Sequence, residues 1–182
     1  MGLVLAISGL HGSGKSTYAR ALSQAYGLRL VSAGQLFRQI AEKRGLTLEQ
    51  LTEEAKKDLE IDKHIDGMTK REAEKGNVVL DGQLSGWMTK EKADVKIFFT
   101  APDDVRIARI ARRDRISFET AKKQTLVRES AQKERFKQLY DIDPSDLSIY
   151  DVIFDTNLQS MEKNINILKA IISEYLTEKA KK

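Results

Sequence analysis

A glycine-rich segment near the N-terminus has the residue types and spacing of a phosphate-binding site. Residues 9–16 read Gly-Leu-His-Gly-Ser-Gly-Lys-Ser and match the pattern G-x-x-x-x-G-K-[ST] in full. Glycines permit backbone angles at which successive N–H groups turn towards one anion, and a following helix N-terminus adds further N–H groups. Lys15 is placed to reach the terminal phosphates of a nucleoside triphosphate, and the Ser16 hydroxyl is placed to bind Mg²⁺.

A carboxylate further along the chain completes this predicted site. Asp81 ends the apolar run 78–80, and a carboxylate at the end of a strand beside the glycine-rich segment can hold Mg²⁺, often through water. His11 occupies a variable position of the pattern, and we assign it no chemistry of its own. The predicted triphosphate-binding residues of the segment are Gly9, Leu10, His11, Gly12, Ser13, Gly14, Lys15, Ser16 and Thr17.

A second candidate site follows the next apolar run. Residues 32–34 are Ser-Ala-Gly, and small residues in a turn permit close approach of a ligand. Arg38 then lies about one helical turn into the following segment, where it is placed to clamp a phosphate. An N-capped helix that carries an ordinary surface arginine explains this segment equally well.

Arginines are concentrated in one stretch of the chain. Seven of the twelve arginines lie between residues 102 and 135, and arginine suits planar, bidentate recognition of phosphate. The spacing places Arg106, Arg109 and Arg113 on one helical face, and Arg128 and Arg135 on another. The alternative is a solvated basic helix face, since isolated surface charges contribute little.

Alternating strands and helices must position these residues. The strands predicted from apolar runs are 3–7, 28–31, 78–80, 95–99 and 151–154, each followed by a helical pattern. Such alternation is typical of an α/β fold, with a mostly parallel sheet covered by helices on both faces. Residues 32–76 hold helical patterns without a strand, and we interpret them as an insertion that folds over the site.

Composition excludes several classes of protein. The chain has no cysteine, which excludes disulfides and thiolate metal sites. No apolar run approaches the roughly 20 residues of a membrane span, and the apolar N-terminus lacks a basic region, so we predict a strand there and a cytoplasmic protein. The net charge of +4 is weak support for nucleic-acid binding.

Several segments together resemble the nucleoside monophosphate kinase family: 9–17, 32–38 and 78–82. The closer resemblance is to the archaeal-type cytidylate kinases, and it extends from Leu3 to Asp155. The glycine-rich segment is common to many families, whereas residues 86–88 and 146–151 are more specific. The segments that carry the closer resemblance are Ser32-Ala33-Gly34, Asn77-Val78-Val79-Leu80-Asp81-Gly82, Gly86-Trp87-Met88 and Asp146-Leu147-Ser148-Ile149-Tyr150-Asp151.

The resemblance implies an enzyme that uses ATP and Mg²⁺ to phosphorylate CMP and dCMP, acting as a monomer without nucleic-acid or membrane partners. It implies a P-loop kinase fold with a five-stranded parallel sheet, forming a single domain over residues 1–182. The implied core comprises 1–31, 77–105 and 145–178. A monophosphate-binding insertion spans about 32–76, and a short lid with its helices spans about 106–140.

The resemblance also implies roles for single residues. Lys15, Arg113 and Arg128 are the expected catalytic residues, and Arg109 is expected to bind ATP. After Asp81 and Gly82 the family commonly has arginine, whereas this chain has Gln83, which can hydrogen-bond a base or ribose but carries no charge. The expected acceptor-binding residues are Ser32, Gly34, Arg38, Asp81, Gln83, Arg128 and Arg135.

Two other functions stay open at the level of sequence. One is a P-loop kinase for another small acceptor, such as UMP, AMP or a hydroxyl compound like shikimate. The other is a nucleotide-dependent switch or an RNA-associated ATPase. The second is disfavoured because no Asn-Lys-x-Asp guanine signature is present and the basic residues are concentrated where a kinase lid is expected.

Overall fold

Strands and helices alternate along the chain in the computed structural model, which describes residues 2–181. None of the helices within these residues is both long and apolar enough to cross a membrane. The strands are β1 (Val4–Gly9), β2 (Arg29–Ser32), β3 (Val78–Asp81), β4 (Val95–Thr100) and β5 (Val152–Asp155). The helices are α1 (Lys15–Tyr26), α2 (Ala33–Arg44), α3 (Leu48–Lys57), α4 (Glu60–Lys75), α5 (Ser85–Met88), α6 (Asp103–Asp114), α7 (Phe118–Tyr140) and α8 (Met161–Ala180).

The five strands form one parallel sheet in the order β2-β3-β1-β4-β5. β1 lies at the centre, and all six of its residues are buried, which is why its sequence is a continuous apolar run rather than an alternating one. The predicted α/β class and the five-stranded parallel sheet are confirmed.

The strand register brings the predicted site residues to one edge of the sheet. Asp81 at the end of β3 pairs with Ile7 of β1 on one side and with Ser32 of β2 on the other. Ligands of open α/β sheets bind at the carboxyl ends of the strands, where the chain direction of successive connections reverses. The register therefore places the glycine-rich segment, Ser32 and Asp81 side by side.

The main core lies between the sheet and helices α1 and α8. Leu5 and Ile7 of β1, Leu22 of α1, and Leu168 and Ile172 of α8 are all fully buried in it. The apolar residues of α8 recur at helical spacing, so one face of the helix covers the sheet while the other stays in water. This layer makes the sheet a rigid base for the loops at its carboxyl edge.

The segment between β2 and β3 contains helices α2, α3 and α4 and no strand, as expected for the insertion 32–76. The three helices pack around a small apolar cluster of their own. A capping box begins α3, with Thr47 and Gln50 bonded reciprocally. α2 begins at Ala33, earlier than the glycine-containing turn suggested, because the Ser32 hydroxyl accepts a hydrogen bond from the Gln35 N–H. Gly34 therefore lies inside the helix.

The two most specific segments of the family resemblance pack against each other. A side chain at Gly86 would meet the ring of Tyr150 at 2.5 Å, and that ring also contacts Phe98 of β4. The Gly86 N–H donates to the buried hydroxyl of Ser8, beside the end of β1. Gly86 and Tyr150 therefore pack against β1 and β4 of the sheet and do not line the cleft.

Removal of a core side chain from α8 is expected to destabilise the protein without touching the site. Leu168→Ala deletes a fully buried side chain, and we expect a loss of about 2–5 kcal/mol in the free energy of unfolding, measured by urea denaturation. Leu158→Ala is the matched control, because Leu158 is 58% exposed and its loss is expected to stay within about 0.5 kcal/mol. Equal losses for the two variants would contradict the packing of α8.

Candidate active site

The glycine loop, residues 9–14, connects β1 to α1 under tight backbone packing. Gly9 has φ 149° and Gly12 has φ 75°. A Cβ atom at Gly9 would lie 2.2 Å from the Phe99 carbonyl oxygen, and one at Gly12 would lie 2.4 Å from the Arg106 carbonyl oxygen. Only glycine fits these positions, which fixes the loop against β4 and α6 and leaves its inner side facing the cleft.

Lys15 begins α1 and lies among other charged groups. Burial lowers its pKa, the nearby Asp81 carboxylate raises it, and Arg128 and Arg113 lower it again. Ser16 and Thr17, the next two residues of the helix, are exposed. An anion at this helix N-terminus would therefore meet an ammonium group, a hydroxyl group and free backbone N–H groups.

The Asp81 carboxylate is buried and half satisfied. Its Oδ2 accepts a hydrogen bond from the Ser32 hydroxyl at 2.9 Å, while its Oδ1 has no partner among residues 2–181. In the same part of the chain, no cluster of three or more His, Asp or Glu side chains could hold a metal by itself. One carboxylate and the Ser16 hydroxyl suit Mg²⁺, which takes few protein ligands and completes its shell with water and phosphate oxygens.

A cleft extends from the glycine loop between α2, α4 and α7. It brings together all the residues predicted for catalysis and acceptor binding, and it adds His11 and Gln132. Of the predicted residues, those that line the cleft are His11, Lys15, Ser16, Ser32, Gly34, Arg38, Asp81, Gln83, Arg113, Arg128 and Arg135.

Positive charge in the cleft is concentrated around Arg128 of α7. Its guanidinium makes no hydrogen bond or ion pair with any group in residues 2–181. Its pKa is lowered by burial first and then by Arg113, Arg38 and Arg135. Arg113 forms a two-pronged ion pair with Asp114, with contacts of 2.7 and 2.8 Å, and its side chain is 64% exposed. A bound anion would relieve the repulsion between these arginines.

Arg135, predicted as an acceptor-binding residue, is held by a carboxylate of a different helix. Its Nε donates to Oδ2 of Asp62 at 2.8 Å, and both side chains are almost fully buried. This ion pair joins α7 to α4. Nη1 of Arg135 is also buried and has no acceptor among residues 2–181, so the side chain keeps a donor for a ligand.

Arg109 and Arg106 support the glycine loop from outside the cleft. Arg109 donates to the Thr156 hydroxyl at 2.8 Å, and that hydroxyl donates to the Ser13 carbonyl oxygen at 2.7 Å. Arg106 donates to the His11 carbonyl oxygen at 2.6 Å and also pairs with two carboxylates. The spacing of Arg106, Arg109 and Arg113 predicted that they share one helical face. Of the three, only Arg113 lines the cleft, and the spacing did not show this.

His11 is a site residue whose contacts sequence reasoning missed. Its Nε2 lies 2.6 Å from Oε1 of Gln132 on α7 and 2.7 Å from Nε2 of Gln83. Burial holds its pKa well below 6.5, and Lys15 and Arg128 lower it further, so the ring is neutral at pH 7. A neutral Nε2 either donates or accepts, so His11 bonds to one amide group at a time. No pattern in the sequence other than its place in the glycine loop pointed to this junction.

Comparisons with known proteins agree with this geometry. A family model described as "Cytidylate kinase-like family" matches residues 4–158. A protein of Staphylothermus marinus named cytidylate kinase is 48% identical over 97% of this chain and 99% of its own length. Another protein of that name from Ignicoccus hospitalis is 46% identical over 93% of this chain and 98% of its own length.

A solved structure shows the same fold at low sequence identity. Shikimate kinase from Bacteroides thetaiotaomicron superposes with a TM-score of 0.63 at 15% identity, over 94% of this chain and 98% of that chain. At that identity the likeness concerns the fold alone. The likeness to this kinase structure shows the P-loop kinase fold. The match of the family model to residues 4–158 and the identities above 45% show that this chain belongs to the cytidylate kinase-like family.

Proposed function

We propose that the protein transfers the γ-phosphoryl group of ATP to CMP and dCMP, which gives CDP and dCDP. The observation that carries the proposal is the continuous cleft that joins Lys15 in the glycine loop to Arg128 and Arg38, two arginines without a hydrogen-bond or ion-pair partner in residues 2–181. A donor triphosphate and an acceptor monophosphate both need cationic groups, and the cleft supplies them at adjacent places.

The donor side is the glycine loop. Its backbone N–H groups and the α1 N-terminus would bind the ATP phosphates, and Lys15 would neutralise the charge on the transferred group. We assign Ser16 and Asp81 to Mg²⁺, which supplies charge neutralisation for the phosphates when it is bound. Arg109 would contribute to ATP binding only through the backbone of the loop, given its bond to Thr156.

The acceptor side lies between α2 and α7. Arg38 and Arg128 would hold the monophosphate, with Ser32 and Gly34 letting it approach the strand edge closely. An oxygen of this acceptor phosphate then attacks the γ-phosphorus, so no protein nucleophile is needed and catalysis depends on alignment. Gln83 lies at the junction of the two sides through its contact with His11.

Two segments would close over the substrates. We assign residues 32–76 to monophosphate binding and 106–140 to the lid, around a core of 1–31, 77–105 and 145–178. Arg113 would exchange its exposed pair with Asp114 for a substrate phosphate as the lid closes. Closure would exclude water and limit hydrolysis of ATP. We propose a monomer without nucleic-acid or membrane partners.

A kinase for an uncharged hydroxyl acceptor fits the cleft less well. Such an acceptor carries no phosphate or carboxylate where Arg38 and Arg128 lie, and two unpaired arginines would then stay uncompensated. A nucleotide switch or RNA-associated ATPase also leaves this second cationic group without a ligand. Both alternatives are separated from the proposal by the identity of the phosphoryl acceptor.

The test of the proposed function is a coupled ADP-release assay with ATP and Mg²⁺. We expect strong turnover with CMP and dCMP and weak turnover with UMP, AMP and GMP. A reaction without acceptor is the control, and its rate should be negligible because the closed cleft excludes water. Equal ADP release with and without acceptor would contradict the kinase activity and favour the ATPase alternative.

Loss of the Lys15 ammonium group is expected to affect the chemical step. Lys15→Ala should lower kcat for CMP at least about 100-fold. The variant lacks the ammonium group that would neutralise the transferred phosphoryl group in a site sheltered from water. The same assay measures the rate, and circular dichroism checks the fold. Lys169→Ala, which removes an exposed lysine from α8, is the control and should keep full activity. Near-normal turnover of folded Lys15→Ala would refute the role.

A further inference from the structure

The end of the cleft remote from the glycine loop has a different chemistry. Its apolar walls are Phe37, Ile65 and Phe136, and its polar groups include Asp62 and Asp66 of α4. A pocket with apolar walls and a few polar groups is suited to a small organic group such as a nucleotide base. Asp62 and Asp66 are four residues apart in α4, so they lie on the same face of the helix.

Helix α7 lines the cleft with residues 128, 132, 135 and 136. Arg128 and Arg135 lie seven residues apart and so share a face, separated by about 10 Å along the helix axis. Arg128 lies close to Lys15 and the glycine loop, whereas Arg135 pairs with Asp62. A monophosphate bound at Arg128, as in the proposed function on which this inference rests, would extend its base towards Arg135, Asp62 and Asp66.

The two carboxylates at this end are satisfied to different degrees. Asp62 accepts a charged hydrogen bond from Arg135. Asp66 accepts one from the neutral Tyr140 hydroxyl at 2.8 Å. An ionised carboxylate has about four acceptor positions, so Asp66 retains capacity for further donors. Burial raises the pKa of Asp66, the Tyr140 hydrogen bond and Lys70 lower it, and Asp62 raises it, which together place it at about 6.

We propose that Asp66 determines base specificity, its carboxylate accepting a hydrogen bond from the exocyclic amino group of cytosine. Cytosine carries an N4 amino donor where uracil carries the O4 acceptor. An amino donor satisfies the Asp66 carboxylate, whereas O4 would place two acceptors against each other. Rejection of uracil therefore follows from an unfavourable contact as well as from a missing favourable one.

Arg135 supplies an independent observation at the same end of the cleft. Arg135 is only 5% exposed, and its buried Nη1 lacks an acceptor in residues 2–181. A carbonyl oxygen of the base would satisfy this donor. Cytosine and uracil both carry a carbonyl at position 2, so Arg135 would bind either base and leave the choice between them to Asp66.

The test compares CMP with UMP in Asp66→Asn. The amide keeps the shape of the side chain, removes the charge and adds an N–H donor that can bond to O4 of uracil. We expect the ratio of kcat/KM for CMP to that for UMP to fall about 10- to 100-fold, with KM for ATP unchanged. Asp66→Ala is the second variant, and it should lose use of CMP without gaining use of UMP.

Two control variants separate base recognition from indirect effects. Glu74→Gln removes a carboxylate from the exposed side of the same helix and should leave the ratio unchanged. Tyr140→Phe keeps the carboxylate but removes the hydroxyl that holds it, so it should lower the ratio less than Asp66→Asn does. Folded, active Asp66→Asn with the wild-type ratio would overturn the assignment of Asp66 alone. A wild type that cannot use CMP would overturn the proposed function and this inference together.

Stability against pH gives a readout without turnover. The folded-state pKa of Asp66 lies above its usual value of 3.8, so its contribution to wild-type stability is fully present below about pH 4 and is lost as the pH rises through about 6. Asp66→Asn should therefore have a higher Tm than the wild type at pH 7, and the difference should shrink towards pH 4. The charged groups around Asp66 are Asp62, with its partner Arg135, and Lys70. Equal Tm values for the two proteins across this range would contradict a carboxylate held short of donors.

Discussion

The structure depends on holding several positive charges close together in one cleft. Burial lowers the pKa of Lys15 and Arg128, and Arg113 and Arg38 add repulsion at Arg128. Charges this close interact strongly where water is excluded, so the scaffold beneath them must be rigid. The buried central strand and the core between the sheet and α8 supply that rigidity. The rigid core thus holds positive charges that repel one another at the carboxyl edge of the sheet. Bound phosphate groups would reduce this repulsion.

Ion pairing divides the arginines between structure and ligand binding. Arg106 is neutralised by Asp103 and Glu129 and holds the backbone of the glycine loop. Arg135 has both roles, because its pair with Asp62 joins α7 to α4 while its Nη1 keeps a donor for a ligand. Arg128 has no such partner in residues 2–181, so its charge stays available to a substrate. A segment rich in arginine is therefore not simply a basic surface. Some of its arginines form ion pairs that hold the cleft together, and the others are available to a bound substrate.

Local chemistry made much of the fold predictable. The glycine loop, the strand runs, and the caps at Ser32 and Thr47 involve residues only a few positions apart, so the sequence displays them directly. The start of α2 was less predictable, because a glycine-containing turn and an N-capped helix look alike until the Ser32 hydroxyl is seen to bond the Gln35 N–H. The family segments around Gly86 and Tyr150 were recognisable, but their mutual packing was not, because they lie far apart in the chain.

Short-range patterns show that a phosphate-binding loop follows a buried strand, that Asp81 ends another strand, and that arginines are concentrated near residues 102–135. The packing of distant segments selects which of those arginines are free, places His11 between Gln83 and Gln132, and brings Asp66 to the far end of the cleft. The two groups of features differ in the range of the interactions that produce them. Backbone conformation and caps are set by near neighbours, whereas the pairing of Arg135 with Asp62 spans 73 residues and exists only once α4 and α7 are packed together.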